Sequence, residues 1–269
     1  MRIRVAGAFS HYNELLPFII KNKLQNKISV YDGINSTWSG GRICRLYPTE
    51  FNLKQFETYQ SLGISVFLTF SNHQINLNST KELEILEILN TGKNNGIVLV
   101  NEELRSLCRS KFKNLRLIYS ITGHSDNFED FDTSLEQKYD LIVPRFENVF
   151  NPKFLAKADT SKYEILVNDT CVLGCRLWNR HFKAINNTNT CSKEQSIEEL
   201  QKIQECWIPG FNPNAESKHE CMDLTTEAIQ RACSLGYRHF KISGRELKEN
   251  YINEITKYTK RILGLPEIF

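Results

Sequence analysis

The chain has 269 residues, of which 41% are hydrophobic and 24% charged, and this composition is typical of soluble globular proteins. It excludes the disordered, collagen-like and coiled-coil classes, and the length allows one large domain or two small ones and a substantial core. The 34 basic residues outnumber the 31 acidic ones by only three, so we expect no basic footprint for nucleic acid. No apolar run could span a bilayer and the first residues lack a signal-peptide pattern, so we predict a cytoplasmic protein.

Short β-branched runs alternate with stretches of helical period along the whole chain. Eight such runs predict strands, at residues 2–6, 28–31, 65–70, 96–100, 115–120, 141–144, 164–168 and 239–243. Amphipathic stretches predict helices at residues 13–26, 52–63, 80–92, 101–112, 151–158, 226–236 and 246–263.

The predicted strands are apolar almost throughout, which is typical of parallel strands covered on both faces by crossover helices. Eight such units in about 250 residues favour an α/β fold, the (β/α)8 TIM-like barrel. A doubly wound open sheet is the alternative, but it usually has fewer strands, and no GxGxxG motif follows the first strand. We therefore predict a single barrel domain over residues 1–269.

One interval between strands is much longer than the others. Strand seven is predicted to end near Asn168 and strand eight to begin near His239, with one ordinary helix just before the latter. Residues 170–222 therefore form a predicted insertion at the carboxyl end of strand seven. Because barrel active sites lie at this face and long loops are usually functional, we expect the insertion to lie over the site.

The insertion contains five of the eight cysteines, namely Cys171, Cys175, Cys191, Cys206 and Cys221. Clustered thiols in a reducing compartment indicate a metal or a cluster rather than disulfides. The CxxxC spacing suits zinc, which His181 could also bind, whereas an iron–sulfur cluster needs about four cysteines at irregular spacing. The residues alone leave both open. Cys108 and Cys233 lie on helical patterns and are predicted to pack as small hydrophobic side chains.

Polar residues follow the predicted strands and, in a barrel, converge on the carboxyl face. Two histidines there, His73 and His124, are candidates for proton transfer. Three arginines, Arg42, Arg145 and Arg245, are candidates for binding a carboxylate or phosphate. From this set we select His73, Arg145 and Arg245 as candidate catalytic residues.

Two stretches of the chain resemble the collagenase-like peptidase family U-32. Residues 164–175 read EILVNDTCVLGC, and residues 236–245 read GYRHFKISGR. Residues 30–33 (VYDG) are similar to the short Val-Tyr-x-Gly segment that the family has after strand two. The family has six residues between its first two cysteines where this chain has three, so the chain resembles a compact, divergent member.

The resemblance implies a barrel-like fold with a four-iron four-sulfur (4Fe–4S) cluster held by four cysteines. Cys171 and Cys175 match the first two of these cysteines. Cys191 resembles the third and Cys221 the fourth, and Cys206 is a rival for either later position. Several family members are oxygen-independent hydroxylases or hydroxylation factors, so the resemblance implies hydroxylation of an organic substrate more than proteolysis.

Two other functions remain compatible with the residues. One is a peptidase, as the family label says. The other is a barrel that is stabilised by a structural zinc ion and binds a partner without catalysis. For a hydroxylase we expect a small-molecule or macromolecular substrate, together with a partner protein or electron donor.

Overall fold

The computed structural model describes residues 1–41, 49–172, 174–175, 177–190, 195, 198, 221–243 and 250–265, with the backbone alone at residues 170–172, 221 and 222. The strands are β1 (Arg2–Ala6), β2 (Ile28–Asp32), β3 (Val66–Phe70), β4 (Gly96–Leu99), β5 (Arg116–Tyr119), β6 (Leu141–Ile142), β7 (Glu164–Val172), β8 (Cys221–Asp223) and β9 (His239–Ile242). The helices are α1 (Tyr12–Lys21), α2 (Leu53–Ser61), α3 (Thr80–Thr91), α4 (Glu102–Lys111), α5 (Leu135–Lys138), α6 (Pro152–Leu155), α7 (Trp178–Thr188), α8 (Thr226–Ser234) and α9 (Tyr251–Leu263).

The strands form one sheet that curls into a nearly closed barrel. Their order is β6-β5-β4-β3-β2-β1-β9-β7-β8, and every pair in it is parallel except β7 with β8. A parallel bridge between Ile142 in β6 and Tyr163 just before β7 brings the two ends of the parallel set together. The predicted (β/α)8 barrel is therefore confirmed. The alternative of an open sheet is wrong, because the two ends of the parallel set of strands meet.

Alternate residues of each strand pack into two separate apolar cores. Residues such as Ile3, Val5 and Val30 face outwards and pack under the helices, which gives the larger core. The other set faces the barrel interior and includes Tyr31 and Phe67. This division follows from the period of two in a strand, because both faces of a parallel sheet in a barrel are covered.

The predicted strands agree with the structure to within one residue at all but two ends. The sixth strand stops at Ile142 instead of residue 144, and the seventh continues to Val172 instead of residue 168. The first predicted helix is too long, because Lys23 takes a left-handed conformation at φ 54° and ends the helical path. None of the described helices has the length and apolar run needed to cross a bilayer.

Candidate active site at the carboxyl end of the barrel

The insertion leaves and rejoins the barrel through one antiparallel strand pair. β8 pairs with the extension of β7, with Asp169 opposite Met222 and Val172 opposite Cys221. Directly paired residues in such a ladder have Cα atoms about 4.5–5.5 Å apart. The backbone of Cys221 therefore lies opposite Val172, one residue after Cys171, although fifty positions separate the two cysteines in sequence. The cysteines predicted to be first and fourth in the cluster come from neighbouring strands, whereas Cys191 and Cys206 lie outside the described residues.

A carboxylate of the barrel holds the loop that carries Cys175. The backbone N–H of Gly174 donates to Glu147 Oε1 at 2.6 Å. Arg145 donates to the same carboxylate through Nε at 3.2 Å and Nη2 at 3.0 Å. Burial acts to raise the pKa of Glu147, but the hydrogen bonds and charge of Arg145, together with backbone N–H groups that include Gly174, outweigh it, so the pKa lies below its ordinary value. The carboxylate thus stays charged and links the cysteine loop to the barrel.

Arg145, one of the candidate catalytic residues, is fully buried in this network. Its Nη1 donates to the Ser125 carbonyl at 3.0 Å, and its guanidinium lies 4.3 Å from the ring centre of Trp178. In this arrangement the guanidinium holds Glu147 and Trp178 in place, and a substrate contact for Arg145 stays a prediction. The third candidate, Arg245, and Arg42 lie outside the described residues.

We expect Glu147→Gln to loosen the cysteine loop, because hydrogen bonds to a charged group contribute about 1.5–3 kcal/mol each. Alkylation of Cys175 by iodoacetamide, followed by mass spectrometry at that residue, should then become about tenfold faster, the equivalent of about 1.4 kcal/mol. Glu129→Gln is the matched control, since Glu129 is exposed and forms a surface ion pair with Lys153 at 3.6 Å. Equal Cys175 alkylation rates in both variants would show that Glu147 does not hold the loop.

Helix α7, which lies inside the insertion, covers the mouth of the barrel. Its first residue, Trp178, is 1% exposed and joins the apolar cluster of the barrel interior. The Trp178 ring packs edge-on against Phe146 at 6.0 Å and against Phe182 at 4.8 Å between ring centres. The helix therefore closes the carboxyl end of the interior with an aromatic side chain.

Hydrogen bonds fasten α7 to the loops that follow three different barrel strands. The Asn72 side chain, after β3, donates to the Asn186 carbonyl at 3.4 Å. The Asn189 side chain donates to the Ser39 carbonyl at 3.0 Å, and the Asn179 backbone N–H donates to Asp126 at 2.7 Å. These bonds fix the helix over the barrel axis.

Several buried polar atoms under and on α7 have no hydrogen-bond partner among the described residues. They are Thr69 Oγ1, Ser71 Oγ, both side-chain atoms of Asn186 and Trp178 Nε1. A Cβ on Gly40 would lie 2.6 Å from the Ser71 carbonyl oxygen and 2.7 Å from Asn186 Oδ1, so only glycine fits between them. Because buried polar groups are nearly always hydrogen-bonded, these atoms mark the place where water or a ligand would bind.

Three of the histidines at this end, His73, His124 and His181, differ in their ability to take up protons. His73 is exposed, although partial desolvation lowers its pKa and a hydrogen bond to the Thr122 backbone acts in the opposite direction. Burial lowers the pKa of His124 to about 4 and that of His181 to about 4. His124 Nε2 lies 2.8 Å from the Val143 carbonyl oxygen, which only accepts, so this nitrogen carries the ring proton. At neutral pH the two buried rings are uncharged.

Cys108 and Cys233 pack as predicted. Cys108 is 1% exposed in the outer core, where burial raises the pKa of its thiol to about 12. Cys233 is half-buried against the same core. Cys175, by contrast, packs at the edge of the barrel interior near the mouth. Among the side chains that the structure describes, no group of three or more His, Cys, Asp or Glu residues is arranged to hold a metal.

Sequence reasoning missed Glu147, Trp178 and Asn186. Glu147 follows the selected Arg145 by two residues, a spacing that does not reveal a shared buried contact. A signal for α7 did exist, since Trp178, Phe182 and Ile185 have the i, i+4, i+7 spacing of an amphipathic helix.

No family model and no curated protein matches this chain. Among solved structures, the chain is similar to the U32 peptidase Mk0906, with 10% sequence identity over 90% of this chain and 92% of that one and a TM-score of 0.57. The chain has the fold of this U32 peptidase. A chitinase from Bacteroides thetaiotaomicron overlaps 100% of this chain and 99% of its own at 12% identity, but its TM-score of 0.44 is too low to bear on the fold. The resemblance to the U32 family that the sequence predicts is thus confirmed at the level of the fold.

Proposed function

We propose that this chain is a U32-like iron–sulfur barrel protein that hydroxylates, or helps to hydroxylate, an organic substrate without molecular oxygen. The observation that carries the proposal is the β7–β8 pair, which places Cys221 opposite Val172, the residue next to Cys171, at the carboxyl end of the barrel. This is the face at which barrel enzymes place their active sites. The shared fold with a U32 peptidase supports the same family context.

The thiol donors in this corner fit an iron–sulfur cluster. Cys175 follows Cys171 by four positions on the loop that Glu147 holds, and thiolates are the ligands that such clusters prefer. With Cys221, three cysteines approach from one strand pair and its adjoining loop, and Cys191 or Cys206 would complete the set. A bound cluster would supply one-electron transfer at this end of the barrel.

The chain's own residues would bind the substrate and keep water away. Trp178 closes the interior, and the unpartnered atoms of Thr69, Ser71 and Asn186 would orient a polar substrate group under α7. When water supplies the oxygen, a C–H bond is replaced by C–OH, the substrate loses two electrons, and two protons are released, one from the C–H bond and one from the water. His73, which is exposed beside the mouth, would accept a proton. Arg145 and Arg245 would orient the substrate or the groups that support it. An electron-accepting partner protein would take up the electrons.

A peptidase is the second candidate, because the solved structure that shares the fold is named a peptidase. This candidate predicts cleavage of peptides that continues after the cluster has been removed. The hydroxylase proposal predicts the reverse, namely no cleavage by either form of the protein.

The proposal is tested by purifying the protein without oxygen and measuring iron, acid-labile sulfide and zinc. We expect about four irons and four sulfides per chain, and a loss of most of both in Cys171→Ser. Cys233→Ser is the matched control, since Cys233 packs against the outer core on α8, away from the carboxyl-end loops.

Each other result assigns the cysteines differently. One zinc per chain without sulfide would favour a non-catalytic binding protein with a structural zinc ion and would overturn the hydroxylase proposal. If protein kept free of oxygen contains neither iron nor zinc, the proposed cluster is ruled out. A full iron content in Cys171→Ser would exclude Cys171 as a ligand.

A further inference from the structure

The opposite, amino end of the barrel interior contains charged side chains rather than apolar ones. The inward positions near the starts of the strands are Arg4 in β1, Arg116 in β5, Glu164 in β7, and His239 and Lys241 in β9. The register places Arg4 beside Lys241 and Glu164 beside His239. These positions belong to the same alternating set as the apolar residues of the interior cluster, so they face into the barrel.

Positive charge exceeds negative charge in this part of the interior. Arg4 Nη1 pairs with Glu164 Oε2 at 2.9 Å, with both side chains buried, and the Arg4 guanidinium lies 3.8 Å from the ring centre of Phe67. Lys241 Nζ lies 4.4 Å from the ring centre of Tyr31. Two arginines, Arg4 and Arg116, therefore face the single carboxylate of Glu164 in this group of described side chains.

Both arginines have N–H groups that donate no hydrogen bond to the described residues. Arg4 is 4% exposed, and its buried Nε has no hydrogen-bond partner in the part of the chain that the structure describes. Arg116 is half-buried at the amino end of the barrel, and its guanidinium bonds to none of the described residues. The pKa of His239 is lowered by burial first, and Arg116, Arg4 and Arg2 lower it further against the opposing effect of Glu164. His239 therefore lies near several positive charges.

A buried N–H group without a partner is costly, and an anion near Arg4 would offset this cost and the local excess of positive charge. Guanidinium groups present planar N–H donors that match the oxygens of phosphate and sulfate. We propose that a small inorganic oxyanion, phosphate or sulfate, binds inside the amino end of the barrel between Arg4 and Arg116. This site lies at the end of the barrel opposite the cysteines, so it does not depend on the function proposed for them.

Equilibrium dialysis with radiolabelled phosphate, and separately with radiolabelled sulfate, tests the site in chloride buffer of constant ionic strength. We expect one anion per chain, bound at least about tenfold more weakly by Arg116→Met, which corresponds to about 1.4 kcal/mol. Arg105→Met is the matched control, because Arg105 lies on α4 and pairs with Glu102 at the surface. Thermal melting of both variants establishes that each is folded.

The comparison of the two labels identifies the ligand, since whichever anion shows binding that depends on Arg116 occupies the site. The proposal is overturned if neither anion binds at millimolar concentration, which would leave water as the partner of Arg4 Nε. It is equally overturned if Arg116→Met binds both anions as tightly as the unaltered chain does.

Discussion

Replacing Glu164 with Gln is expected to lower the free energy of unfolding by about 3–5 kcal/mol. The substitution keeps the size of the side chain but leaves the buried Arg4 guanidinium without its only carboxylate partner among the described residues. Unfolding in guanidinium chloride, monitored by circular dichroism, measures the change. Glu50→Gln is the control, since the ion pair of Glu50 with Lys81 is exposed and such pairs contribute at most about 1 kcal/mol.

The double variant Arg4→Met/Glu164→Gln separates charge from packing. Removing both charges avoids a lone buried ion, so the double variant should be more stable than Glu164→Gln alone. A loss below about 1 kcal/mol in the single variant, which is the range of exposed pairs, would mean that water reaches Arg4 and that the barrel interior is not dry at this level.

Trp178→Ala is expected to release α7 from the mouth of the barrel. Truncation of a buried tryptophan costs about 3–5 kcal/mol, and this side chain contacts both the interior cluster and the Arg145 guanidinium. Because the helix lies at one end of the barrel and belongs to the insertion rather than to the sheet, the loss should appear as local opening rather than global unfolding. Amide hydrogens of α7 should exchange at least about 100-fold faster, while those of β2 and β3 stay protected.

Trp178→Phe provides the matched control for this experiment. Phenylalanine keeps an aromatic ring against Phe146 and Phe182, so α7 should remain much closer to its original exchange rate. If α7 amides in Trp178→Ala exchange as slowly as in the unaltered chain, the hydrogen bonds of Asn72, Asn179 and Asn189 hold the helix without the tryptophan.

The barrel could be predicted from the sequence because each strand and helix has a local pattern. Runs such as RIRVA and SVFLTF are bounded by helical stretches, and their number and length favoured a closed barrel before any contact was known. Closure itself depends on the bridge from Ile142 to Tyr163, which no local pattern contains.

The site was predicted less completely, because its contacts join residues that are distant in sequence. The placement of Cys221 opposite Val172, next to Cys171, depends on an antiparallel strand of three residues, which is too short for periodicity to reveal. Helix α7 was missed because its last turn, Asn186 to Thr188, consists of residues that disfavour helices. The positions of Arg145 and His73 at the carboxyl end were anticipated, since strand ends in a barrel share one face.

The β7–β8 pair has a consequence for how this protein can vary. The insertion departs and returns through two hydrogen-bonded strands, and Asp223 at the return point is tied to Lys257 and Arg261 of α9 at 2.8 Å each. The ends of the insertion are therefore held together by the barrel itself, whatever lies between them. Related chains could lengthen, shorten or exchange this segment, and so acquire a new specificity, without moving any of the eight strands beneath it.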